Sequence, residues 1–438
     1  MENGSANGAG SEQTGGKPRL VSLEIHELPG RNVEPCTLRF NDGFNVLLGL
    51  NATGKTTLLE LIAAALSFDF SKFKDEPFSI AYELAFSTGT IVVSMRNERT
   101  ERPAPEMPVL QGRDAARLAF SAKLQVHMTS PPQTWTVCAD MSSVWIEERQ
   151  SFKYPLTTSL GERRSYLLSW TADIAVNKSL METYRNELWP WEDARRFDEA
   201  LDMFRDVTSP ATWLETRLSS ASGAVSGFNV AGALPADILR AVGVHVVNMS
   251  AGSQGLTIPQ ESLDFLREIG ALFGFRSARL EMRLENKAGG RAGNMLKFSD
   301  LRFMFETPDG AVIRHDDLSY GQKRLLAFYY YLAASPLTVI ADELVDGLHH
   351  LWIDAAITAI GDRQAFLASQ NPLLLDHLEF DSAEKVASTF ITCRSEPRDD
   401  GKHMFWSNMS TYDAERFFRA YQVDVQHVSE ILLSKGLW

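Results

Sequence analysis

The chain has 438 residues, of which 44% are hydrophobic, with a formal net charge of −13 and three cysteines. That length suits one large α/β domain with an insertion, or two to three domains, and the hydrophobic share excludes wholesale disorder. The acidic balance argues against a protein whose main business is coating nucleic acid, though it leaves room for a local basic groove. Cys36, Cys138 and Cys393 are odd in number and far apart; they offer neither a metal spacing nor a disulfide framework and fit a reducing compartment.

In chain order, residues 1–17 are rich in Gly, Ser, Asn and Ala and read as a flexible tail. No basic-then-apolar leader and no bilayer-length apolar run is visible, so the expectation is a soluble, cytoplasmic protein with no membrane association. Leu20 to His26 alternates as a strand, Cys36 to Phe40 is a second strand, and Phe44 to Leu48 a third. The third runs into Gly49-Leu50-Asn51-Ala52-Thr53-Gly54-Lys55-Thr56-Thr57, which fits G-x-x-x-x-G-K-[ST] and opens a helix through Leu66. In that strand–loop–helix context the glycines let backbone N–H groups converge on phosphate oxygens and the helix N-terminus adds a favourable dipole. Lys55 would pair with the β- and γ-phosphates, and the Thr56 hydroxyl would ligate Mg²⁺.

Phe78 to Phe86 and Ile91 to Met95 flank Ser87-Thr88-Gly89 as a hairpin. Leu118 to Val126, Thr134 to Cys138 and Val144 to Glu147 extend it into an antiparallel meander. From 159 to 279 apolar residues recur at helical spacing, as in Ala194, Phe197, Leu201 and Phe204, and a mainly helical insertion is expected. Leu280 to Leu284 and Lys297 to Phe305 return to strand patterning. Lys323 to Ala334 is apolar nearly all round and should be a buried helix. Val386 to Cys393 and Lys402 to Ser407 read as a hairpin across Asp399-Asp400-Gly401, followed by helices over Tyr412 to Tyr421 and Val425 to Leu433.

Four segments then carry chemistry in a fixed order. Leu318-Ser319-Tyr320-Gly321-Gln322 precedes a helix and can offer a hydroxyl and N–H groups to a phosphate, or serve as an ordinary N-cap turn. The apolar strand Leu337 to Ala341 ends in Asp342-Glu343, which can place one carboxylate for Mg²⁺ and a second as general base for an attacking water, or be a strand followed by a solvated acidic turn. Val345-Asp346-Gly347-Leu348-His349-His350 reads as a turn, and Ser369-Gln370-Asn371-Pro372 ends the next strand.

Together these segments resemble the ATPase head of the ABC superfamily, and within it the SMC/RecF/OLD type. Ser319-Tyr320-Gly321-Gln322 looks like the signature motif, Asp342-Glu343 like the Walker B pair, Asp346 like the D-loop, and Gln370 occupies the switch position. Asn51 is the residue such relatives favour in the phosphate loop, and Glu343 to His350 and Pro372 to Asp376 are similar to their "DE…GLHH" and "SPLLLD" runs.

The resemblance implies an α/β fold, a P-loop ABC-type ATPase head with an antiparallel β subdomain and a helical insertion, with 18–158 and 280–438 as the two halves of the head. It implies ATP and Mg²⁺ as ligands. Gly49, Asn51, Ala52, Thr53, Gly54, Lys55, Thr56, Thr57, Ser319, Gly321, Gln322 and Asp346 would contact nucleotide. Thr56, Asp342 and a Q-loop glutamine would hold the metal, and Glu343 and Gln370 would act in catalysis. Gln150 is the candidate for the Q-loop, with a solvated loop residue as the competing reading.

One subunit of such a head does not complete the site. Ser319 and Gly321 would reach the γ-phosphate held by Lys55 of another copy, giving a homodimer or higher homo-oligomer. Two departures stand out. Gln370 replaces the usual His, and an amide can hydrogen-bond a phosphate but carries no proton or charge, which implies slow or partner-dependent turnover. Tyr320 replaces a usual Gly and narrows the space at the interface.

Small heads of this type resemble the ATPase partners of nucleases or toxins in anti-phage defence systems such as Septu, PARIS and some retron systems. A separately encoded nuclease or toxin is therefore the expected partner. A RecF-like repair ATPase is the alternative, and an ABC transporter subunit a third reading that Asn51 and the Gly347 to His350 run weigh against. Arg276, Arg279, Arg283, Lys287, Arg291 and Lys297 could contact DNA phosphates, or form a solvated strand face.

Overall fold

The structure is a computed structural model that describes residues 17–99, 118–129, 132–140, 143–147, 153–155, 196–206, 213–218, 225–230, 234–249, 252–290, 293–399, 401–423 and 426–436. Among these residues, strands β1 (Arg19–Glu27), β2 (Cys36–Arg39) and β3 (Phe44–Leu48) lead to helix α1 (Lys55–Ser67). Next come β4 (Phe78–Phe86), β5 (Gly89–Arg99), β6 (Leu118–Thr129), β7 (Pro132–Asp140), β8 (Ser143–Ile146) and β9 (Lys153–Pro155). The middle holds α2 (Phe197–Asp206), β10 (Trp213–Leu218), β11 (Val225–Val230), α3 (Ala236–Val247), β12 (Gly255–Pro259), α4 (Asp264–Leu272), β13 (Ser277–Gly290), β14 (Gly293–Glu306) and β15 (Val312–Arg314). The last part holds α5 (Tyr320–Ala334), β16 (Thr338–Asp342), α6 (His350–Ile360), β17 (Gln364–Ala368), α7 (Pro372–Asp376), α8 (Ala383–Thr389), β18 (Phe390–Arg398), β19 (Gly401–Asn408), α9 (Thr411–Tyr421) and α10 (Val428–Ser434).

The central sheet runs β16-β17-β3-β18-β19. Its first four strands are parallel and β19 pairs antiparallel with β18. Short, apolar strands of this kind need cover on both faces, and the period-2 alternation of side chains supplies it. Leu47, Ile340, Phe366 and Ile391 point to one face, where they join α1 and the inward residues of the antiparallel sheet. On the other face Val339, Ala341, Ala365 and Leu367 meet α5 and α6, while Val46, Leu48 and Phe390 meet α8, α9 and α10.

The antiparallel sheet runs β2-β1-β4-β5-β6-β7-β8-β9. In β4 burial alternates strictly, with Phe78, Ile80, Tyr82, Leu84 and Phe86 inward. A one-residue slip would turn these side chains to solvent at a cost of roughly 1.5–3 kcal/mol each, so the hydrophobic pattern fixes the register. Gln364 at the start of β17 stitches the two sheets together. Its amide accepts from Leu20 N–H at 2.9 Å and donates to the Leu20 and Asn41 carbonyls at 2.8 Å each.

A third sheet, β11-β10-β14-β13-β12 with β15 on β14, accounts for one difference from the sequence expectation, and a helix cap accounts for another. The stretch 159–279, expected to be mainly helical, holds α2, α3 and α4 but also β10, β11, β12 and the start of β13 among its described residues. In β10, Leu214 and Thr216 are buried, an alternation too short to outweigh the helical spacing around it. Val386 to Thr389, expected as strand, is the end of α8, because Ser382 caps that helix by accepting the Lys385 N–H at 3.1 Å.

Candidate nucleotide-binding site

The segment 49–54 leaves the C-terminal end of β3 and curls into α1. Gly54 sits at φ +84°, and a Cβ there would lie 2.3 Å from Met404 Sδ and 2.8 Å from Trp406 Cζ2, so only glycine fits. Trp406 donates its indole N–H to the Thr53 carbonyl at 3.0 Å, and the Thr53 hydroxyl donates to Leu50 O at 2.8 Å. These bonds fix the curl from inside. The N-terminus of α1 has no side-chain cap, which leaves its N–H groups for an anion. Lys55 is buried, and its ammonium donates to the carbonyls of Gly49 at 2.7 Å and Leu50 at 3.1 Å. Its charge is thereby held within the loop.

Thr56 and Asp342 meet directly: the hydroxyl donates to Asp342 Oδ2 at 2.5 Å. Two hard oxygen donors side by side, one anionic, fit Mg²⁺, which commonly takes only one or two protein ligands and fills its octahedron with waters and phosphate oxygens. Among the described residues no cluster of three or more His, Cys, Asp or Glu competes for that role.

Glu343 adopts φ +51°, a left-handed conformation that costs a non-glycine residue on the order of 1–3 kcal/mol and persists where its surroundings over-determine it. Its N–H donates to Ala368 O at 2.8 Å. Its Oε2 accepts from the Gln370 backbone N–H at 3.1 Å and the Ser369 hydroxyl at 3.4 Å. Burial pushes its pKa above the usual carboxylate range; the charges of Asp346 and Asp342 add to this, and the Gln370 N–H and Lys55 oppose it. A raised pKa makes a carboxylate a stronger base. The Gln370 side-chain amide donates to Asn51 Oδ1. Gln370 thus bridges the phosphate loop and the candidate base, because β17, which ends two residues before it, lies between β3 and β16.

The segment Ser319 to Gln322 forms an N-cap. Ser319 Oγ accepts from Gln322 N–H at 3.4 Å, and Gln322 Oε1 accepts from Ser319 N–H at 3.0 Å, a reciprocal capping box at the head of α5. Gln322 is therefore tied into the cap. The Tyr320 ring covers Gly347, where φ is +72° and a Cβ would lie 2.5 Å from Tyr320 Cε1. Asp346 follows Asp342 and Glu343 in the same turn, its N–H donating to Glu343 O at 3.3 Å. Gln150 lies outside the described residues, as does Arg291.

Several cations of the basic stretch are ion-paired. Arg276 meets Glu306 at 3.3 Å, Arg279 meets Glu281 at 2.7 Å, and Arg283 and Lys297 meet Glu285 at 3.4 and 3.5 Å. The cysteines are poor nucleophiles in the two cases where burial acts: it pushes the Cys36 thiol up to about 11 and the Cys393 thiol up to about 12.

Sequence reasoning missed Trp406 and Arg324. Arg324, buried on α5, donates through Nε to Leu344 O at 3.1 Å and through Nη2 to Glu343 O. A lone arginine on a helix otherwise apolar on nearly every side was the available signal.

The parallel sheet, the loop between β3 and α1 and the acids ending β16 define the class: a P-loop nucleotide-binding fold of mixed α/β architecture with antiparallel sheets. Residues 23–123 match the AAA domain family. No curated protein sequence matches the chain. Among solved structures it is similar to an SMC head bound to the C-winged helix domain of ScpA, at 12% identity and TM-score 0.40, over 90% of this chain and 98% of that one. It is also similar to an SMC head domain with an extended coiled coil from Pyrococcus furiosus (13% identity, 92% and 100% coverage, TM-score 0.34). A third likeness is to an SMC head domain from Pyrococcus yayanosii (10% identity, 92% and 100% coverage, TM-score 0.35). These scores are low, and the class rests on strand order and site geometry.

Proposed function

We propose that the protein is an ATP-binding and ATP-hydrolysing subunit of the SMC/RecF/OLD type that pairs or oligomerises around ATP and so controls a separately encoded nuclease or toxin in anti-phage defence. The observation that carries the enzymatic part is the run of contacts from Asn51 through Gln370 to Glu343, beside the Thr56–Asp342 pair. Lys55 supplies countercharge to the β- and γ-phosphates. Thr56 and Asp342 hold Mg²⁺, which when bound neutralises phosphate charge. Glu343 takes the proton of the attacking water, and Gln370 orients the reacting group by hydrogen bonding.

Pairing around ATP is supported by what surrounds the site. Leu50, Tyr320, Leu351 and Leu373 are 74%, 62%, 64% and 43% exposed, each within or next to a motif segment. Large apolar side chains of that kind gain by being covered. A second copy would bring Ser319 and Gly321 to the γ-phosphate, so ATP would bind the paired state better than the single one. Effector control rests on the resemblance of the motifs, as does work in the cytoplasm; among the described residues no helix is long and apolar enough to cross a membrane.

The test is phosphate release and molecular mass by light scattering with and without Mg²⁺-ATP, with co-purification of the neighbouring gene's product. ATP-dependent growth in mass with retained partner supports the reading. A monomer at saturating ATP overturns the pairing, and a partnerless protein overturns effector control.

A further inference from the structure

Arg324 is 9% exposed on a helix whose other described core positions are apolar. A buried guanidinium needs partners for its donors, and this one takes two consecutive backbone carbonyls, Glu343 O and Leu344 O. They belong to the turn after β16, in which Glu343 holds its left-handed φ of +51°. A planar fork with fixed donor directions suits that task, and an ammonium on a flexible stem does not. The same turn is pressed from the side by the Tyr320 ring on Gly347, one helix turn before Arg324.

The guanidinium lies over the Phe197 ring, 5.3 Å from its centroid. Phe197 is fully buried and also meets Phe328 edge-on at 5.3 Å. The preceding residue, Arg196, is buried too. It pairs with Glu60 of α1 at 3.2 Å and with Asp198 at 2.5 Å. Glu60 lies on the helix whose first residues are Lys55 and Thr56. Two consecutive residues at the start of α2 therefore touch the phosphate-loop helix and the arginine that grips the backbone of Glu343.

We propose that Arg324 is a positioning residue for Glu343, and that α2 sets its grip through Phe197, so that a shift of α2 against α1 and α5 switches hydrolysis without changing nucleotide binding. This rests on the reading of Glu343 as the general base. A protein partner acting on α2 could then control turnover from outside the ATP site. The stacking contact makes Phe197 the input and the two carbonyl hydrogen bonds make the Glu343 backbone the output.

The test compares Arg324→Lys, Phe197→Leu and Glu343→Gln in the full chain. Arg324→Lys keeps the charge but gives up the fork and the flat stacking face. It should lower kcat by about tenfold or more with KM for ATP within about twofold, and should add nothing further to Glu343→Gln. Phe197→Leu keeps the apolar contact, loses the ring face, and should act in the same direction more weakly. Hydrogen exchange should quicken in a peptide covering 342–348 in Arg324→Lys and stay unchanged over 49–57. If Glu343→Gln abolishes hydrolysis while Arg324→Lys leaves kcat and exchange untouched, the positioning role is wrong and the base stands. If exchange quickens throughout and KM rises with the fall in kcat, Arg324 is merely structural. If Glu343→Gln hydrolyses normally, the reading of the base falls, and exchange at 342–348 alone decides whether Arg324 holds the turn.

Discussion

The Thr56 hydroxyl donates to Asp342 Oδ2 at 2.5 Å although the two residues stand 286 positions apart. The strand that leads to Thr56 is not next to that of Asp342 either, since β17 separates β3 from β16; α1 packs on β16 and β17 and brings its first turn to the acid. Asp342→Asn would keep the shape and still accept from Thr56, but it removes the charge a divalent cation needs. The gain in ATP affinity on adding Mg²⁺ should shrink by about tenfold or more. Titration of ATP in Mg²⁺ and in EDTA measures this, and an unchanged Mg²⁺ dependence would sink the metal assignment.

Lys55→Ala removes the buried ammonium that Gly49 and Leu50 hold in the loop. Hydrogen bonds to charged groups contribute about 1.5–3 kcal/mol, so ATP affinity should fall by roughly tenfold to a hundredfold. Calorimetry gives the answer directly. Wild-type affinity in the variant would remove the foundation of the nucleotide site.

Gln370 joins the two halves of the candidate site, its side chain on Asn51 and its N–H on Glu343. Gln370→Ala cuts only the first link, because the backbone N–H survives. Hydrolysis should slow more than binding weakens, by about tenfold. Gln370→His places a proton-carrying group there and should raise turnover above the wild type. Rates insensitive to both substitutions would show that this position does not sense the γ-phosphate.

His315 is buried with Nδ1 accepting the Phe303 N–H at 3.2 Å. Burial holds its pKa below the ordinary 6.5, outweighing the nearby Asp316 carboxylate. The unfolded chain therefore binds a proton that the folded chain refuses, and stability falls as pH drops through the unfolded value toward the folded one. His315→Gln, which keeps an acceptor, should lose less Tm than the wild type between about pH 7 and about pH 5.5. Parallel Tm–pH curves would show that this histidine does not carry the acid sensitivity.

Legibility in the sequence followed the range of the interactions. The phosphate loop was readable because its strand, glycines and helix lie within about two dozen consecutive residues. β4 and α5 announced themselves by an alternating pattern and an apolar surround. β10 did not: one of its partners, β14, lies some eighty residues further on, the other is the equally short β11, and a six-residue strand carries little pattern of its own. Arg324 stood out as a lone arginine on an apolar helix, but its role was not legible, because its partners are backbone carbonyls, which no residue type marks. The pairing of Arg279 with Glu281 and Arg283 with Glu285 was within reach, because residues two apart on a strand share a face.

Glu343→Gln is the decisive substitution. Glu343 follows Asp342, its carboxylate accepts from Gln370 N–H and Ser369 Oγ, and burial raises its pKa. A glutamine keeps the length and an oxygen acceptor for those donors, so the turn held at φ +51° should keep its form. It cannot take the proton of the attacking water, and loss of a general base lowers the chemical step by about 10²–10⁴-fold. On the proposed reading affinity for ATP comes from Lys55, Thr56 and the loop N–H groups, none of which changes. ATP should therefore stay bound and unhydrolysed, and an assembly bridged from Lys55 of one subunit to Ser319 of the next should persist. On size-exclusion chromatography with Mg²⁺-ATP the variant should elute as a larger, ATP-dependent species. Ser319→Arg, added to it, places a bulky cation at the joint and should return the smaller species. Normal hydrolysis by Glu343→Gln would exclude this residue as the base. An assembly indifferent to ATP and to Ser319→Arg would mean that subunits do not meet through this site, even with nucleotide binding intact.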